Sequence, residues 1–160
     1  MGKSRKKIKV CLICAAGGHF EQIRQLKDII NNYDCYFMVN KTKATAAFKG
    51  KRHIIAIPLT KNKFFFYLSY IYLFLQQLFF FALEWPDVVI TTGSGFVIPT
   101  CMYAKIFKKK LIYIETFAKI NSPSETGKFI YNKKMADLFI VQHDKCLQYF
   151  PDAVMGGWIY

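Results

Sequence analysis

The chain has 160 residues, enough for one domain with a hydrophobic core. It carries 23 Lys and Arg against 10 Asp and Glu, a formal charge of +13, which points to nucleic acid, an anionic membrane surface or a phosphorylated substrate as partner. The aromatic residues lie in one long apolar block rather than among the basic residues, and this arrangement favours a membrane over nucleic acid.

The first third of the chain alternates strand and helix patterns. Lys7–Cys14 is predicted as the first strand, Gly18–Asn31 as an amphipathic helix and Asp34–Val39 as the second strand. Thr42–Phe48 is predicted as a short helix and His53–Ile57 as the third strand, which Pro58 ends. The basic N-terminus leads into a short strand and glycines, so it does not read as a signal peptide.

The next segment, Phe64–Leu83, is apolar except for Ser69, Gln76 and Gln77. Its length permits a membrane span, but strands of one parallel sheet are predicted on both sides of it, and one sheet cannot lie on both sides of a membrane. An ordinary buried helix is the second alternative. The third, which we favour, is a helix that packs on the sheet by one side and dips into the bilayer surface by the other.

The remaining chain continues the alternation, and it contains no repeats and no long linker. Such alternation predicts an α/β fold, a doubly wound parallel sheet of Rossmann-like type, as a single domain over residues 1–160. The predicted elements are strands at Asp87–Thr91, Leu111–Glu115, Asp137–Gln142 and Pro151–Met155, and helices at Phe96–Phe107 and Ser124–Met135.

The five cysteines predict no disulfide framework, because their number is odd and most lie in apolar runs. Cys11 and Cys14 are three apart on a predicted strand and therefore face opposite sides, which argues against a metal or redox pair. No other spacing suggests metal ligands, and no metal or cofactor is expected. The five are Cys11, Cys14, Cys35, Cys101 and Cys146.

The turn after the first strand, Ala15–His19, is the first candidate ligand site. Gly17 and Gly18 let the backbone approach a ligand closely, and the following helix start favours an anion such as phosphate. His19 adds a titratable side chain, a candidate for acid–base work or for a hydrogen bond to phosphate. A plain strand-to-helix turn with an incidental histidine remains the alternative.

Two further loops follow later strands at the same predicted sheet edge, where doubly wound folds bind their ligands. Thr92, Gly93, Ser94 and Gly95 form a second small-residue turn into a helix. Glu115 ends a strand and leads into a polar loop. Three such loops at one edge are more specific than any one of them, although each alone could be structural.

These segments together resemble the asparagine-linked glycosylation protein 14 family and its bacterial capsule and exopolysaccharide counterparts. The matching stretches are GGH, WPDVVITTGSGFVIP, LIYIETFAKINSPSETGKFIY and DLFIVQ. The family resembles the N-terminal, acceptor-binding half of a GT-B glycosyltransferase, whose other half, which binds the nucleotide sugar, is a separate polypeptide. Eukaryotic members carry an N-terminal membrane anchor, for which this chain has only a basic leader.

The resemblance implies a role for each loop. Gly17, Gly18, Thr92, Gly93, Ser94, Gly95 and Asn121 would bind the diphosphate of the acceptor, and His19 and Glu115 would be catalytic. Instead of an N-terminal anchor, the apolar segment would attach the protein to the membrane, through Phe64, Phe65, Phe66, Tyr67, Tyr70, Ile71, Phe74, Phe79, Phe80 and Phe81.

The resulting hypothesis is one subunit of a two-part transferase that uses a UDP-sugar such as UDP-N-acetylglucosamine in polysaccharide or lipid-linked oligosaccharide synthesis. It would bind a polyprenyl-diphosphate-linked sugar at the cytoplasmic face of a membrane, taken to be the bacterial inner membrane, and recruit the donor-binding subunit, without which it would be inactive. A non-catalytic membrane anchor is one alternative, and a nucleotide-binding Rossmann protein is another. The nucleotide-binding alternative is disfavoured, because Val39 and Asn40 occupy the end of the second strand, where an acidic residue that binds ribose would be expected. Self-association stays open.

Overall fold

The computed structural model describes residues 7–56 and 63–159, and for residues 63–67 it describes the backbone alone. The basic leader and the predicted strand end at Ile57 and Pro58 lie outside the described residues. The side chains of Phe64, Phe65, Phe66 and Tyr67, which were expected at the membrane, lie outside them as well.

The described residues form one sheet of seven parallel strands in the order β3-β2-β1-β4-β5-β6-β7. This confirms the predicted doubly wound α/β fold. The central strands are buried on both faces, as their continuous apolar sequences indicate. The strands are β1 (Lys9–Cys14), β2 (Asp34–Asn40), β3 (Arg52–Ile55), β4 (Val88–Thr91), β5 (Lys110–Ile114), β6 (Leu138–Val141) and β7 (Val154–Met155).

Six α-helices of the described residues connect these strands: α1 (Gly18–Arg24), α2 (Lys27–Asn32), α3 (Lys43–Ala47), α4 (Lys63–Glu84), α5 (Ile98–Ile106) and α6 (Glu125–Asn132). Two short 3₁₀ helices lie at Gly95–Val97 and Asp144–Gln148. The predicted helix Gly18–Asn31 is wrong in one respect, because it breaks into α1 and α2 where Leu26 leaves helical geometry, at φ −73° and ψ 51°.

Two hydrophobic cores lie on opposite faces of the sheet. On one face, Phe20 and Ile23 of α1 pack with Leu12 and Val39 of the strands. On the other, residues of α4, α5 and α6 pack against β1, β4, β5 and β6. An apolar groove of about 220 Å³ lies on the first face, lined by Ile8, Val10, Ile29, Tyr33, Val88, Ile90 and Ile112.

The inner side of α4 is fixed to the rest of the protein by its polar residues. The buried Gln77 amide donates to the Phe96 carbonyl at 2.7 Å and accepts from the Thr100 backbone N–H at 3.1 Å and hydroxyl at 2.7 Å. Gln76 makes two hydrogen bonds with the backbone of Ala56, of 3.1 and 3.0 Å. The polar residues that interrupt the apolar segment therefore mark the side of the helix that faces the protein.

The outer side of α4 is apolar and exposed. Ile71, Leu75, Phe79 and Leu83 are 57–62% exposed, and Tyr70 is 44% exposed. The expectation that Phe81 faces a membrane is wrong, because its ring is wholly buried in the core.

Two other aromatic residues expected at the membrane, Phe74 and Phe80, are partly buried. The Phe80 ring stacks on His53 with the ring centroids 4.4 Å apart. They contribute less to the outer surface of α4 than Tyr70, Ile71 and Phe79 do.

None of the helices in the described residues is both long and apolar enough to cross a membrane.

The end of α4 is held at the amino-terminal edge of the sheet by a buried carboxylate. Glu84 lies 3.2 Å from the ammonium of Lys9, 2.8 Å from that of Lys51 and 2.7 Å from His53 Nε2. Burial alone would raise the pKa of Glu84, but these three hydrogen bonds outweigh burial and lower the pKa to about 2. His53 therefore has a structural role, through its contacts with Glu84 and Phe80.

We predict that Glu84→Gln lowers the unfolding free energy by about 2–3 kcal/mol at neutral pH, since the fold stabilises the ionised carboxylate. Because the folded pKa is depressed, this stabilisation is complete above the ordinary pKa and is lost as the pH falls towards the folded one. Chemical denaturation at several pH values measures the difference between variant and wild type. Glu125→Gln is the control, because Glu125 pairs with Lys128 on the surface, and no measurable change is expected there. Equal effects of the two variants would contradict this prediction.

Candidate functional site

The carboxyl ends of β1, β4 and β5 lie side by side, because these three strands are neighbours in the sheet. The turns that follow them are joined by hydrogen bonds. The Thr92 hydroxyl, after β4, donates to the His19 carbonyl at 3.1 Å. Tyr113, at the end of β5, lies in hydrogen-bond contact with Ser124, which closes the third loop, at 3.3 Å. The sequence prediction that three loops share one edge of the sheet is thus confirmed.

The first turn presents exposed backbone. Gly17 has a φ of +95°, which favours glycine, and a Cβ built on Gly17 or Gly18 would meet no atom within 4 Å. The Asn40 side chain at the end of β2 accepts from the Ala16 backbone N–H at 2.6 Å and so fixes the start of the turn. The space in front of the two glycines is therefore open to a ligand.

His19 lies beside this open space and is partly buried. Its Nδ1 is buried and makes no hydrogen bond within the described residues. Burial lowers the pKa of His19, with the backbone of Thr92 acting in the opposite direction. A histidine of lowered pKa is neutral at physiological pH and can accept a proton or a hydrogen bond from a ligand.

The second turn packs closely against β5. Gly93 has a φ of +100°, and a Cβ there would lie 2.7 Å from the Tyr113 hydroxyl oxygen and 3.7 Å from His19 Cε1. Ser94 also has a positive φ, of 85°, which is a strained conformation for a residue other than glycine. Tyr113 can approach this turn so closely because residue 93 has no side chain.

Two of the residues expected to bind the diphosphate do not face a ligand. Thr92 is wholly buried and its hydroxyl is bonded to the His19 carbonyl, so it joins the first two turns instead. Gly93 is also buried, and its N–H donates to the Thr91 hydroxyl at 3.1 Å. Ser94 is partly exposed and Gly95 exposed, so these two remain accessible.

The third loop places its carboxylate inside the protein. Glu115 is wholly buried, its Oε2 accepts from the Ser124 hydroxyl at 3.1 Å, and its Oε1 makes no hydrogen bond within the described residues. Burial raises its pKa, against the opposing effects of the Ser124 hydroxyl, the backbone amides of Thr116 and Ser124, and the charge of Lys119. The expectation that Glu115 touches the reacting atoms is therefore not met in this conformation.

Asn121 lies at the other end of the third loop. Its side-chain oxygen accepts from the Lys145 ammonium at 3.3 Å, and its carbonyl accepts from the Tyr149 hydroxyl at 2.8 Å. These contacts lie towards the segment after β6, so the structure does not bring Asn121 into contact with the glycine turns.

Three residues at this edge were not singled out from the sequence, namely Asn40, Tyr113 and Ser124. Ser124 carried a usable signal, since a serine immediately before a helix is a preferred N-cap, and its hydroxyl accepts from the Gly127 N–H at 2.9 Å. The roles of Asn40 and Tyr113 depend on strand register and could not be inferred from local sequence.

The chemistry available at this edge is the binding of an anion by backbone amides and acid–base work by a neutral histidine. No group of three or more His, Cys, Asp or Glu side chains in residues 7–56 and 63–159 is placed to hold a metal ion.

Comparison with solved structures identifies the fold. MurG of Acinetobacter baumannii matches with a TM-score of 0.67 and 12% identity, over 86% of this chain and 42% of MurG. UDP-N-acetylglucosamine 2-epimerase of Rickettsia bellii matches with a TM-score of 0.69 and 11% identity, over 91% of this chain and 41% of the epimerase. At such identities the likeness shows the fold alone, and the chain spans about two fifths of the length of either enzyme.

Sequence comparison identifies the family. The mouse protein named UDP-N-acetylglucosamine transferase subunit ALG14 is 23% identical to this chain over 97% of the chain and 84% of the mouse protein. A family model described as "Oligosaccharide biosynthesis protein Alg14 like" matches residues 61–159. Because this match covers more than half of the chain and agrees with the resemblance of its motifs, the protein belongs to the Alg14-like family of oligosaccharide biosynthesis proteins.

Proposed function

We propose that this protein is the membrane-associated, acceptor-binding subunit of a two-part UDP-sugar glycosyltransferase. Its acceptor is a sugar linked to a polyprenyl diphosphate, and its partner is a separate subunit that binds the nucleotide sugar. UDP-N-acetylglucosamine is the donor we favour, because the mouse relative is named as a subunit of a transferase for that donor.

One observation carries this proposal: an open glycine turn beside a partly buried histidine whose pKa is lowered by burial, in a chain of the Alg14-like family. Exposed backbone at Gly17 and Gly18 suits a diphosphate, whose oxygens accept from backbone N–H groups. The mouse relative is named as a transferase subunit, which supports a site that is completed by a second protein.

In the proposed reaction, the acceptor hydroxyl attacks the anomeric carbon of the donor sugar. A new carbon–oxygen bond forms to the acceptor, the bond to UDP breaks, and the hydroxyl proton passes to the His19 imidazole and then to water. The partly buried position of His19 beside the open turn supports this role, and orienting the acceptor is the alternative role.

The outer side of α4 is the proposed membrane surface. It continues beyond the helix, because Trp85 is 49% exposed and its ring lies 5.1 Å from that of Phe107, itself 38% exposed. The Lys109 ammonium lies 4.8 Å from the Trp85 ring centroid. An exposed apolar side with aromatic and basic residues at one end is typical of a helix that lies in the interface of an anionic membrane, here at its cytoplasmic face.

A non-catalytic anchor is the second candidate function, since the same exposed apolar side would also serve a subunit that only recruits its partner. The two candidates make different predictions for His19.

The first test is reconstitution of transfer from purified proteins, lipid-linked acceptor and UDP-N-acetylglucosamine. We expect transfer when this chain and the donor-binding subunit are combined and none with either alone. His19→Ala should lower the rate roughly 100-fold, the magnitude typical of a lost general base, while binding of the partner is retained. Glu21→Gln is the control, because Glu21 pairs with Arg24 on the same helix, and its rate should match wild type. Full transfer by one protein alone would contradict the two-subunit proposal, and an unchanged rate in His19→Ala would favour the anchor.

The pH dependence of transfer is the second test. If His19 takes the proton, its neutral form is the active one, and the rate should fall as the pH drops through its pKa. Because burial lowers the pKa of His19 below its ordinary value of 6.5, activity should persist below that pH before it declines. The residual rate of His19→Ala should not decline in this way. If the rates of wild type and His19→Ala decline with pH in the same way, His19 is not the origin of the decline.

Vesicle flotation tests the membrane surface. The double variant Leu75→Glu/Phe79→Glu should bind vesicles of phosphatidylethanolamine and phosphatidylglycerol at least tenfold more weakly, since burying one such side chain contributes about 1.5–3 kcal/mol. Ile8→Glu is the matched control, because Ile8 is 46% exposed in the groove on the other face of the sheet.

The membrane proposal fails if high salt alone releases the wild type or if the control weakens binding equally. It also fails if the double variant changes the oligomeric state while vesicle binding is unaltered, because α4 would then mediate self-association.

A further inference from the structure

The buried carboxyl of Glu115 belongs to a chain of hydrogen bonds that leads back to the glycine turns. The Ser124 hydroxyl donates to Glu115 Oε2 at 3.1 Å and accepts from the Gly127 N–H at 2.9 Å. Since the Ser124 hydroxyl has a single proton, its 3.3 Å contact with Tyr113 is a hydrogen bond in which the Tyr113 hydroxyl donates.

The other side of the Tyr113 hydroxyl faces the second glycine turn. A Cβ on Gly93 would lie 2.7 Å from the Tyr113 oxygen, so the turn and the tyrosine are in close contact. The same hypothetical Cβ would lie 3.7 Å from His19 Cε1. The Gly93 turn thus lies between His19 and the Tyr113 hydroxyl, at which the chain of hydrogen bonds from Glu115 ends.

The Tyr113 side chain has little freedom to move out of this position. Its ring is wholly buried and stacks on Phe139, with the ring centroids 4.7 Å apart. The carboxyl at the far end is also confined, because a Cβ on Gly127 would overlap Glu115 Oε2. Because the Tyr113 ring cannot readily rotate, a substitution at Glu115 should alter the position of the Tyr113 hydroxyl through Ser124.

We propose that Glu115 is a positioning residue, which acts through Ser124 and Tyr113 to hold the Gly93 turn against His19. The consequence for function rests on the proposed transferase activity, since the turn and His19 would then hold the acceptor diphosphate in reactive geometry. Glu115 itself takes no proton from the acceptor.

The positioning role uses one carboxyl oxygen, because Oε2 accepts from Ser124 and Oε1 makes no hydrogen bond in the described residues. Burial raises the pKa of Glu115. The titratable groups around it are Tyr113 on β5, Cys146 on the second 3₁₀ helix and Lys119 in the loop. A neutral side chain of the same shape should therefore serve equally well.

The test compares Glu115→Gln, Glu115→Ala and Tyr113→Phe in the reconstituted transferase. Glutamine keeps an oxygen to accept from Ser124, so we expect its kcat and KM to stay within about twofold of wild type. Glu115→Ala and Tyr113→Phe each interrupt the chain of hydrogen bonds. The KM for the lipid-linked acceptor should therefore rise roughly tenfold or more, the scale expected for a small displacement of a positioned group. The KM for UDP-N-acetylglucosamine should not change.

Tyr131→Phe is the matched control for Tyr113→Phe. Its hydroxyl makes two hydrogen bonds of 3.0 Å with Asp152, which lies just before β7, and its ring also contacts Phe139. Loss of this hydroxyl should leave the acceptor KM unchanged.

A second measurement needs neither partner nor substrate. In NMR spectra of the chain alone, Tyr113→Phe and Glu115→Ala should shift the Gly93 amide and His19 ring signals, whereas Glu115→Gln and Tyr131→Phe should not. The spectra also show whether each variant is folded. If Glu115→Ala unfolds, Tyr113→Phe, which keeps the ring stacked on Phe139, still tests whether the hydrogen bonds position the Gly93 turn.

The positioning role is overturned if Glu115→Gln is as inactive as Glu115→Ala, because the carboxylate would then be the base. It is equally overturned if Tyr113→Phe leaves the Gly93 and His19 signals in place. Absence of transfer by the wild type with its partner would instead refute the proposed function, and the spectra would still show whether Glu115 controls the turn.

Discussion

Helix α4 determines where both the candidate site and the exposed apolar surface of this protein lie. The helix carries the chain from the edge strand β3 to β4, which pairs with β1 in the middle of the sheet. That pairing places the turn after β4 beside the turn after β1, where the Thr92 hydroxyl bonds the His19 carbonyl. The inner side of the helix is fixed by Gln77 and Glu84, which leaves the opposite, apolar side exposed. One element thus creates the candidate site and the proposed membrane surface together.

The site combines an open part with a rigid part. Gly17 and Gly18 face open space, which a ligand can fill without displacing protein atoms. Behind them, Gly93 is enclosed by His19 and Tyr113, and Ser94 adopts a strained backbone conformation. A diphosphate bound by backbone N–H groups requires such fixed geometry, because displaced donors would lose most of their contribution. The buried groups behind the turn therefore matter to the proposed function as much as the exposed ones do.

Much of this architecture could be predicted from the sequence, because it depends on local patterns. Apolar runs bounded by Gly17–Gly18 and by Gly93 predicted strands that end at one edge, and the alternation of elements predicted the parallel sheet. The side of α4 that faces the protein was marked by Gln76 and Gln77. Phe81 was placed wrongly although it lies four residues after Gln77 and three before Glu84, a spacing that puts it on the same inner side. The roles of Thr92 and Glu115 were also beyond local sequence, since a side chain at a strand end can point inward or outward. Tyr113 was missed because its contacts join residues of three separate strands and loops.

The proposed function assigns the lipid-linked diphosphate acceptor to this chain and the nucleotide sugar to its partner. Equilibrium binding to the chain alone, followed through the Gly17 and Gly18 amide and His19 ring signals, tests it most directly. A short-chain, water-soluble polyprenyl diphosphate sugar should shift these signals in a saturable manner, whereas UDP-N-acetylglucosamine and NAD should not. Saturable binding of either nucleotide at these residues, with no effect of the diphosphate sugar, would contradict the account and identify a nucleotide-binding protein instead.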